Sequence, residues 1–434
     1  MAQSDTIVAV STPPGVGGIA VVRLSGSDAL GLALAHLSVG RLEPRRATYC
    51  RFDDLDDVVA VYMPTGYTGE PTVELSCHGS LYVQQAVLQA LADSGARLAG
   101  PGEFTMRAFR NGRLNLSQAE AVADLIDAVT PQQHRLAVSQ LRGGYAQKLK
   151  ELRQQLLDLT ALLELELDFS QEDVEFADRS QLKALLATLH EQLAALIASF
   201  RMGNALKRGI PVAIVGKPNA GKSSLLNALV GDDRAIVSDI PGTTRDTVEE
   251  TLTIGGITFR FIDTAGLRRS TDAVETMGVE RSMKAIGEAD MVLYVHDLAQ
   301  PFVRADIAAL PLDGKHLLLV GNKCDLPQVQ LPEGFLAVSA KEGRGVEALK
   351  EAMLAAVEPQ TMQQVLLSNP RHYDALRLVQ QALGHVQQAL GDGVPADLIA
   401  VDLRDALYHL GTITGEVASN DILDNIFSRF CIGK

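Results

Sequence analysis

The residues best suited to chemistry are residues 216–223, Gly-Lys-Pro-Asn-Ala-Gly-Lys-Ser, which fit the phosphate-loop pattern G-x-x-x-x-G-K-[ST]. Glycines let the backbone curl so that its N–H groups face a phosphate. Lys222 can then reach the outer phosphates, and the Ser223 hydroxyl can ligand Mg²⁺. The apolar run 210–215 before the loop indicates a buried strand, and residues 224–229 after it indicate a helix. The pattern therefore predicts a nucleoside triphosphate site.

Four further motifs select the base and the metal. The sequence Asp-Thr-Ala-Gly at 263–266 follows the strand-like run 258–262, so Asp263 can hold the hydration shell of Mg²⁺. Thr244, in Gly-Thr-Thr-Arg-Asp, is the threonine expected to ligand Mg²⁺ when triphosphate is bound. In Asn-Lys-Cys-Asp, Asp325 can accept both donors on the guanine edge, a pair that adenine lacks. With Ser-Ala-Lys at 339–341 offering backbone N–H groups to the guanine oxygen, these motifs predict GTP rather than ATP.

The group that activates water is less clear from the residues alone. Leu267 stands where many signalling GTPases carry a glutamine that positions water. Glu275 could orient the water, and the side-chain amide oxygen of Asn219 could ligand a monovalent cation that supplies positive charge. Alternatively, Glu275 is a solvated helix residue and Asn219 only shapes the loop.

Composition limits the class of protein that can carry this site. The chain has 434 residues and a net charge of −14, which disfavours a general basic surface for nucleic acid. No apolar run approaches the ~20 residues needed to cross a bilayer, and the N-terminus lacks the basic start of a signal peptide. Its four cysteines form no C-x-x-C pair, so neither a disulfide framework nor a cysteine zinc site is expected. We therefore expect a cytoplasmic protein with no membrane association.

The elements around the site change character along the chain. Short strand-like runs at 6–10, 18–23, 58–62 and 72–77, with helical stretches near 27–37 and 80–93, predict a small α+β domain. Ser117 and Glu120 have the spacing of a capping box. Leucines then recur at steps of three and four in two long stretches, 149–163 and 182–200, which predicts helices packed lengthwise. A helical pattern returns after residue 370, with Leu398, Val401, Leu403 and Leu407 among its apolar positions.

Between the helical stretches, apolar runs at 210–215, 257–262, 291–296 and 316–321 alternate with helical patterns, as in a parallel α/β sheet. Neither helical piece forms a complete bundle alone, so we infer that the α/β domain is inserted into a helical domain. The predicted fold is multidomain, with an α+β N-terminal domain, a helical-bundle domain and an inserted Ras-like α/β P-loop GTPase domain. The predicted limits are 1–112 for the N-terminal domain, 113–206 and 370–434 for the helical domain, and 207–369 for the GTPase domain.

Motifs along the whole length resemble those of one family. They are Thr-Pro-Pro-Gly at 12–15, His-Gly at 78–79, the stretch 102–113, Gln-Ala-Glu-Ala at 118–121, the GTPase motifs and the terminal Phe-Cys-Ile-Gly-Lys. In these the chain resembles the tRNA modification GTPases of the MnmE (TrmE) family. The resemblance implies a homodimer through the N-terminal domains, with a 5-formyltetrahydrofolate bound near the interface. It implies a flavoprotein partner, MnmG (GidA), and the installation of a carboxymethylaminomethyl-type group at C5 of the wobble uridine of certain tRNAs.

The resemblance also assigns residues. Glu275 matches the glutamate that orients water, and GTP hydrolysis is expected to need K⁺. The folate contacts would be Arg23, Glu74, Arg113 (often lysine in the family) and Lys434. The K⁺ ligands would be Asn219, Ser238, Ile240 and Thr243, and the Mg²⁺ ligands Ser223 and Thr244. The full set of predicted GTP contacts is Asn219, Ala220, Gly221, Lys222, Ser223, Ser224, Ser238, Thr243, Thr244, Asp263, Thr264, Ala265, Gly266, Asn322, Lys323, Asp325, Ser339, Ala340 and Lys341.

Two other functions compete with this interpretation. A ribosome-assembly GTPase would carry a basic RNA-binding domain, which this acidic chain does not show. A non-catalytic scaffold would bind GTP as a structural ligand, which an intact Lys222, Ser223, Thr244 and Asp263 disfavour. The resemblance places Cys431, in the terminal motif, near the folate site, where its thiol could take part in the modification chemistry or line the pocket. From the residue alone, a buried structural cysteine is the commoner case and the expectation. Any tRNA contact would use local arginine and lysine groups, such as those at 41–51 or 135–153, or the partner protein.

Overall fold

The computed structural model describes residues 5–169, 179–231, 250–262, 283–327, 330–357, 366–392, 394–428 and 430–433. By its internal contacts the chain divides into two compact units. One comprises Met1–Asp127, Ala137–His190 and Ala375–Lys434, and the other comprises Ala128–Leu136 and Glu191–Asp374. The first unit contains the N-terminal sheet, and the second contains the phosphate loop.

The N-terminal part is an α+β fold, as predicted. Its elements are β1 Ile7–Val10, β2 Ile19–Ser25, α1 Ala29–Leu34, β3 Ala47–Phe52, β4 Asp56–Met63, β5 Thr72–His78, α2 Leu81–Asp93, β6 Arg97–Leu98 and α3 Glu103–Arg110. The six strands form one sheet in the order β3-β4-β5-β2-β1-β6. Side chains alternate along each strand, so Val22, Leu24, Val73 and Leu75 are buried on the face covered by the core. Arg23 and Glu74 therefore point to the opposite face.

The helical part contains the long helices that the leucine spacing predicts. Its elements are α4 Leu116–Asp127, α5 Pro131–Leu141, α6 Gly144–Phe169, α7 Arg179–Ala198 and α8 Phe200–Arg208, then α12 Pro370–Gly391, α13 Ala396–Thr414 and α14 Asn420–Phe427 after the inserted domain. Leu149, Leu152, Leu156, Leu159 and Leu163 are all buried, which confirms the predicted packing face of α6.

One local prediction in these helices, the capping box at Ser117, is wrong. The cap of α4 uses Asn115, whose side-chain oxygen accepts the backbone N–H of Gln118, while the Gln118 side chain accepts the N–H of Asn115. The reciprocal cap therefore begins two residues before Ser117, and Ser117 lies inside the first turn. In α13, Leu398 and Val401 are more than half exposed, because they lie outside the buried face of the helix. That face is formed by Ile399, Leu403, Ala406, Leu410 and Ile413.

The inserted domain is an α/β sheet with the order β12-β11-β10-β7-β9-β8. Its elements are β7 Ile210–Val215, α9 Lys222–Val230, β8 Glu250–Ile254, β9 Ile257–Phe261, β10 Met291–Asp297, α10 Ala305–Ala308, β11 His316–Asn322, β12 Phe335–Ala337 and α11 Val346–Val357. The four predicted strands are present and pair in parallel. Strand β8 was not predicted; the two residues Gly255 and Gly256 join it to β9, and the two strands pair antiparallel.

The chain segments that flank this domain touch one another. The backbone N–H of Leu367 donates to the Ser199 hydroxyl at 3.0 Å, and the ring of Phe200 stacks on Tyr373 with centroids 4.2 Å apart. A domain whose flanking segments lie together can be inserted into a helical domain without displacing it. The predicted residue limits of the domains stay predictions.

Candidate functional site

The phosphate loop connects the end of β7 to the start of α9, as its sequence predicts. Asn219 and Gly221 adopt left-handed conformations, with φ of 60° and 89°, and Lys222 is the first residue of α9. The Lys222 ammonium donates to the carbonyl oxygens of Gly216 and Lys217, each at 2.8 Å. Because it is largely buried, the pKa of Lys222 is lowered from its usual range. A phosphate bound at the N-terminus of α9 would place a negative charge beside this ammonium and so offset the cost of its burial.

Both pattern glycines are required by close neighbours. At Gly216, which has a φ of 147°, an added Cβ would overlap the carbonyl oxygen of Val295 in β10. At Gly221 an added Cβ would overlap the side-chain amide of Asn322. The loop therefore lies directly against the ends of β10 and β11, and any side chain there would displace it.

Asn322 joins the phosphate loop to the two base-recognition loops. Its side chain is buried, donates to the carbonyl oxygen of Ala220 at 2.9 Å and accepts the backbone N–H of Ala340 at 3.1 Å. The Ser339 hydroxyl donates to the Asp325 carboxylate at 2.6 Å. The structure thus brings together the predicted GTP residues at 219–224, 322–325 and 339–341, around one buried amide.

The base-recognition carboxylate is prepared for its predicted role. The hydrogen bond from Ser339, with one from the backbone, lowers the pKa of the partly exposed Asp325 carboxyl, so it is ionised at neutral pH. An ionised carboxylate is the form that can accept two N–H donors. The backbone N–H of Ser339 already donates to Arg344, and that of Ala340 donates to Asn322. A guanine oxygen would have to share these amides or use that of Lys341.

The other predicted nucleotide, metal and water-orienting residues lie outside the described part of the chain. They are Ser238, Ile240, Thr243, Thr244, Asp263, Thr264, Ala265, Gly266 and Glu275, together with Leu267. Their roles stay predictions. Within the described residues, no group of three or more His, Cys, Asp or Glu side chains could hold a metal ion.

A second candidate site lies on the N-terminal sheet. Arg23 in β2 and Glu74 in β5 are direct partners across the antiparallel pair, and the guanidinium donates from Nε to the Glu74 carboxylate at 2.8 Å. The guanidinium also lies over the rings of Tyr67 and Phe104, with its central carbon 5.8 and 5.7 Å from their centroids. Burial raises the pKa of Tyr67, so its hydroxyl stays protonated and shares a hydrogen bond with Thr105. No pattern in the sequence indicates a role for Tyr67.

The C-terminal tail reaches this sheet. The Ser11 hydroxyl, just beyond β1, donates to the carbonyl oxygen of Gly433 at 3.1 Å, and Ile432 bridges to Pro101. The predicted folate residue Lys434 lies outside the described residues. Cys431 is exposed, so the expectation that it is a buried structural cysteine is wrong. All four cysteines are free thiols.

Arg113, the remaining predicted folate residue, is exposed on the same domain. Its side chain runs beside Gly69, where an added Cβ would lie 3.1 Å from the Arg113 Cγ. Tyr67 and Gly69 belong to the loop between β4 and β5, so this one loop contacts both predicted folate arginines. Arg23, Glu74 and Arg113 therefore lie around a single loop, with the C-terminal tail at the neighbouring end of β1.

Sequence reasoning also missed a partly buried ion-pair network beside this site. Glu103 accepts hydrogen bonds from Arg97 and Arg107, and both arginines also bond the Asp5 carboxylate. Although burial opposes ionisation of Glu103 and Asp5, these guanidinium groups hold the pKa of both carboxyls below their usual range. Two of its four residues, Glu103 and Arg107, lie in the motif stretch 102–113, so part of that motif is structural.

Comparison with known proteins identifies the family. The profile described as the GTP-binding protein TrmE N-terminus matches residues 6–113, and that of the MnmE helical domain matches residues 116–431. The tRNA modification GTPase MnmE of Parabacteroides distasonis is 46% identical, covering 99% of this chain and 100% of its own. That of Cytophaga hutchinsonii is 45% identical, covering 100% and 98%.

Among solved structures, the G domain of the Thermotoga maritima FeoB iron transporter is similar, at 26% identity, a TM-score of 0.25 and coverage of 34% of this chain and 99% of its own. In the part of the chain that the structure describes, no helix is long and apolar enough to cross a membrane. Two family profiles and full-length relatives above 40% identity agree. The chain belongs to the family of tRNA modification GTPases MnmE.

Proposed function

We propose that this GTPase of tRNA modification uses K⁺-activated GTP hydrolysis to drive the conformational cycling of a modifying complex. With a flavoprotein partner of the MnmG (GidA) type, the complex would add a carboxymethylaminomethyl-type group at C5 of the wobble uridine, using a tetrahydrofolate one-carbon donor. One observation carries the GTPase half of this proposal. Asn322 ties the phosphate loop at Ala220 to the base-recognition loop at Ala340, so one buried side chain aligns the parts that would hold GTP.

Each described residue would do a separate task in hydrolysis. The N-terminus of α9 and the Lys222 ammonium would hold the β- and γ-phosphates, and the Ser223 hydroxyl would be one Mg²⁺ ligand. Bound Mg²⁺ would supply positive charge to the phosphate oxygens. Asp325 would fix the guanine edge through its ionised carboxylate. The geometry fits a phosphate group, because the Lys222 ammonium lies at the N-terminus of α9 and donates to the neutral carbonyl oxygens of Gly216 and Lys217.

Asn219 would help to hold K⁺ together with Ser238, Ile240 and Thr243, while Glu275 and Thr244 would complete the catalytic group. The φ of 60° at Asn219 lies in the left-handed region, which asparagine adopts more readily than most residues, so this residue also shapes the turn of the loop. A cation there would take the place of an arginine finger by stabilising negative charge on the transferring phosphoryl group.

The test is a GTP turnover assay in KCl and in NaCl at equal ionic strength. We expect fast hydrolysis in KCl only and a loss of the K⁺ stimulation in Asn219→Ala, with a slow basal rate that remains. Asp290→Asn is the matched control, because Asp290 lies at the opposite end of β10 and bonds Arg201. Equal rates in the two salts for the wild-type protein would contradict the cation assignment.

The N-terminal sheet would bind a 5-formyltetrahydrofolate through Arg23, Glu74, Arg113 and Lys434. Arg23 supports this assignment, because its guanidinium is partly exposed, paired with a carboxylate and held over two aromatic rings. Folates carry carboxylates, which accept hydrogen bonds, and a ring system with amide-like N–H donors. A neighbouring arginine can donate to the acceptors, and a glutamate can accept from the donors.

Dimerisation through the N-terminal domains is supported by the exposed face of their sheet. Ile19, Tyr49 and Val59 are exposed large apolar side chains on strands β2, β3 and β4. We further propose that the protein is cytoplasmic. It would contact tRNA through local basic groups and its flavoprotein partner, because a net charge of −14 disfavours a general nucleic-acid surface.

A further inference from the structure

We propose that Asp297 is a positioning residue of the guanine pocket, which acts through Lys323. Asp297 belongs to none of the sequence motifs that predict the GTP site. The proposal rests on the proposed GTP-binding function and adds a residue on a neighbouring strand to the pocket. It follows from the register of the sheet, the backbone conformation of Lys323 and the two hydrogen bonds of the Asp297 carboxylate.

The sheet register places Asp297 beside the base-recognition motif. β10 and β11 are parallel neighbours, and their last paired residues are Asp297 and Asn322. The backbone N–H of Leu298 also donates to the carbonyl oxygen of Asn322 at 3.0 Å. Asp297 thus lies at the carboxyl end of its strand, which is the edge where ligands bind in open α/β sheets.

Lys323 follows Asn322 and has an unusual backbone. Its φ of 67° lies in the left-handed region, which a long side chain adopts only when neighbouring contacts require it. Its ammonium donates to the Asp297 carboxylate at 2.6 Å, and this contact fixes the far end of the side chain. Lys323 is therefore held at both ends, by its turn and by Asp297, and its methylene stem has a defined path beside Asn322.

The carboxylate divides its two oxygens between two tasks. One oxygen accepts the Lys323 ammonium, and the other accepts the backbone N–H of Ala299 at 2.9 Å, which closes the turn after β10. Although burial opposes ionisation, these donors hold the pKa of Asp297 below its usual range. A substitution can therefore remove the first task and keep the second.

Asp297→Asn makes that separation. The asparagine oxygen can still accept the Ala299 N–H, as in an Asx-turn, but its amide nitrogen cannot accept the lysine ammonium. We expect Asp297→Asn to weaken binding of fluorescent GDP and GTP by about 10-fold, with kcat at saturating GTP changed by less than about twofold, because only the ground-state pocket is disordered. The melting temperature of the nucleotide-free protein should stay near that of the wild type.

The double variant shows whether Asp297 acts through Lys323. Lys323→Met keeps the apolar stem and removes the ammonium, so we expect it to weaken binding to a similar extent. Adding Asp297→Asn to Lys323→Met should then cause almost no further loss, since the two changes remove one interaction. Asp290→Asn is the control, since it removes an ion pair with Arg201 at the other end of the same strand.

Two results would overturn the proposal, and one separate result concerns the function on which it rests. Unchanged nucleotide affinity in Asp297→Asn, with or without a lowered melting temperature, or a full second loss in the double variant would each reduce Asp297 to a turn residue. If instead the wild-type protein bound neither GDP nor GTP, the proposed GTPase function itself would fail, whatever the variants did.

Discussion

The two six-stranded sheets of this protein build their candidate sites in different ways. In the inserted domain, the candidate residues lie in loops at the carboxyl ends of parallel strands, and their positions depend on backbone conformation at Gly216, Asn219, Gly221 and Lys323. In the N-terminal sheet, Arg23 and Glu74 lie within strands, and their positions depend on antiparallel register. The first site is a property of loops, and the second is a property of a sheet face.

This difference predicts which kind of substitution each site tolerates. A loop site that packs its backbone against neighbouring strands leaves no room for added atoms, so a single methyl group should disable it. A site on a strand face already presents side chains to solvent, so a change of size should matter less there than a change of charge or hydrogen-bonding geometry.

The largest expected effect is that of Gly216→Ala in the phosphate loop. The new Cβ would overlap the Val295 carbonyl oxygen, and alanine disfavours the φ of 147°, so the loop would have to move. We expect the affinity for fluorescent GDP to fall about 100-fold or more and the free energy of unfolding of the inserted domain to fall by ~3 kcal/mol. Nucleotide titration and thermal unfolding measure the two effects.

Gly287→Ala is the matched control for this prediction. Gly287 lies in the same domain, and an added Cβ there has no neighbour within 4 Å. This variant should bind nucleotide like the wild type. Normal nucleotide binding by Gly216→Ala would show that the loop can move away from β10, and the distinction between the two sites would then be lost.

A smaller effect is expected from Arg23 in the N-terminal sheet. Arg23→Ala should weaken binding of 5-formyltetrahydrofolate by about 10-fold, and Arg23→Lys nearly as much, because lysine keeps the charge but not the two-nitrogen contact with Glu74. Neither variant should change the melting temperature by more than a few degrees, since partly exposed ion pairs contribute little to stability. Calorimetry measures the affinity.

Arg41→Ala controls for the loss of an arginine from the same domain. Its side chain is 86% exposed and lies 3.6 Å from the Glu43 carboxylate. Arg41 is therefore not part of the Arg23–Glu74 pair. It should bind folate as the wild type does. If Arg23→Lys bound folate normally, charge alone would suffice at this site. If the wild-type protein bound no folate, the assignment of the N-terminal site would fall.

The same difference between the two sites explains which parts of the structure could be predicted from the sequence. Loop sites carry their conformational requirements as glycines at fixed spacing, so the phosphate loop and the strands β7, β10 and β11 are predicted correctly. Strand β3 has a mixed composition and β6 has two residues, and both exist because neighbouring strands pair with them. Neither carries a pattern that would identify it alone.

Residue patterns in the sequence do not predict which side chains become tertiary partners. The family resemblance implies Arg23 and Glu74 as folate contacts, but nothing in the sequence predicts that they pair, because their 51-residue separation gives no register. The rings of Tyr67 and Phe104 beside Arg23, and the contact of Asp297 with Lys323, likewise depend on which elements become neighbours. A spacing rule describes one segment, whereas these contacts join two or three.

The smallest expected effect is the loss of stability of the N-terminal domain at acid pH. Asp5 and Glu103 have lowered pKa values in the folded protein because Arg97 and Arg107 outweigh the cost of their burial. A carboxyl whose folded pKa lies below its unfolded value of about 4 stabilises the fold above that value. This contribution is lost as the pH falls from about 5 through the folded pKa. It is fully present at neutral pH.

Hydrogen–deuterium exchange of peptides from β1 and α3, corrected for the intrinsic effect of pH, measures this contribution. We expect the wild-type protein to lose protection in these peptides between about pH 5 and pH 3. Glu103→Gln should be less protected at pH 7 and should change less on acidification, because one titrating group of the network is gone. Glu43→Gln, which removes a partner of the exposed Arg46, should behave as the wild type does. Equal acid dependence in Glu103→Gln and the wild type would mean that Glu103 does not set this response, and the network would then hold the sheet by packing rather than by charge.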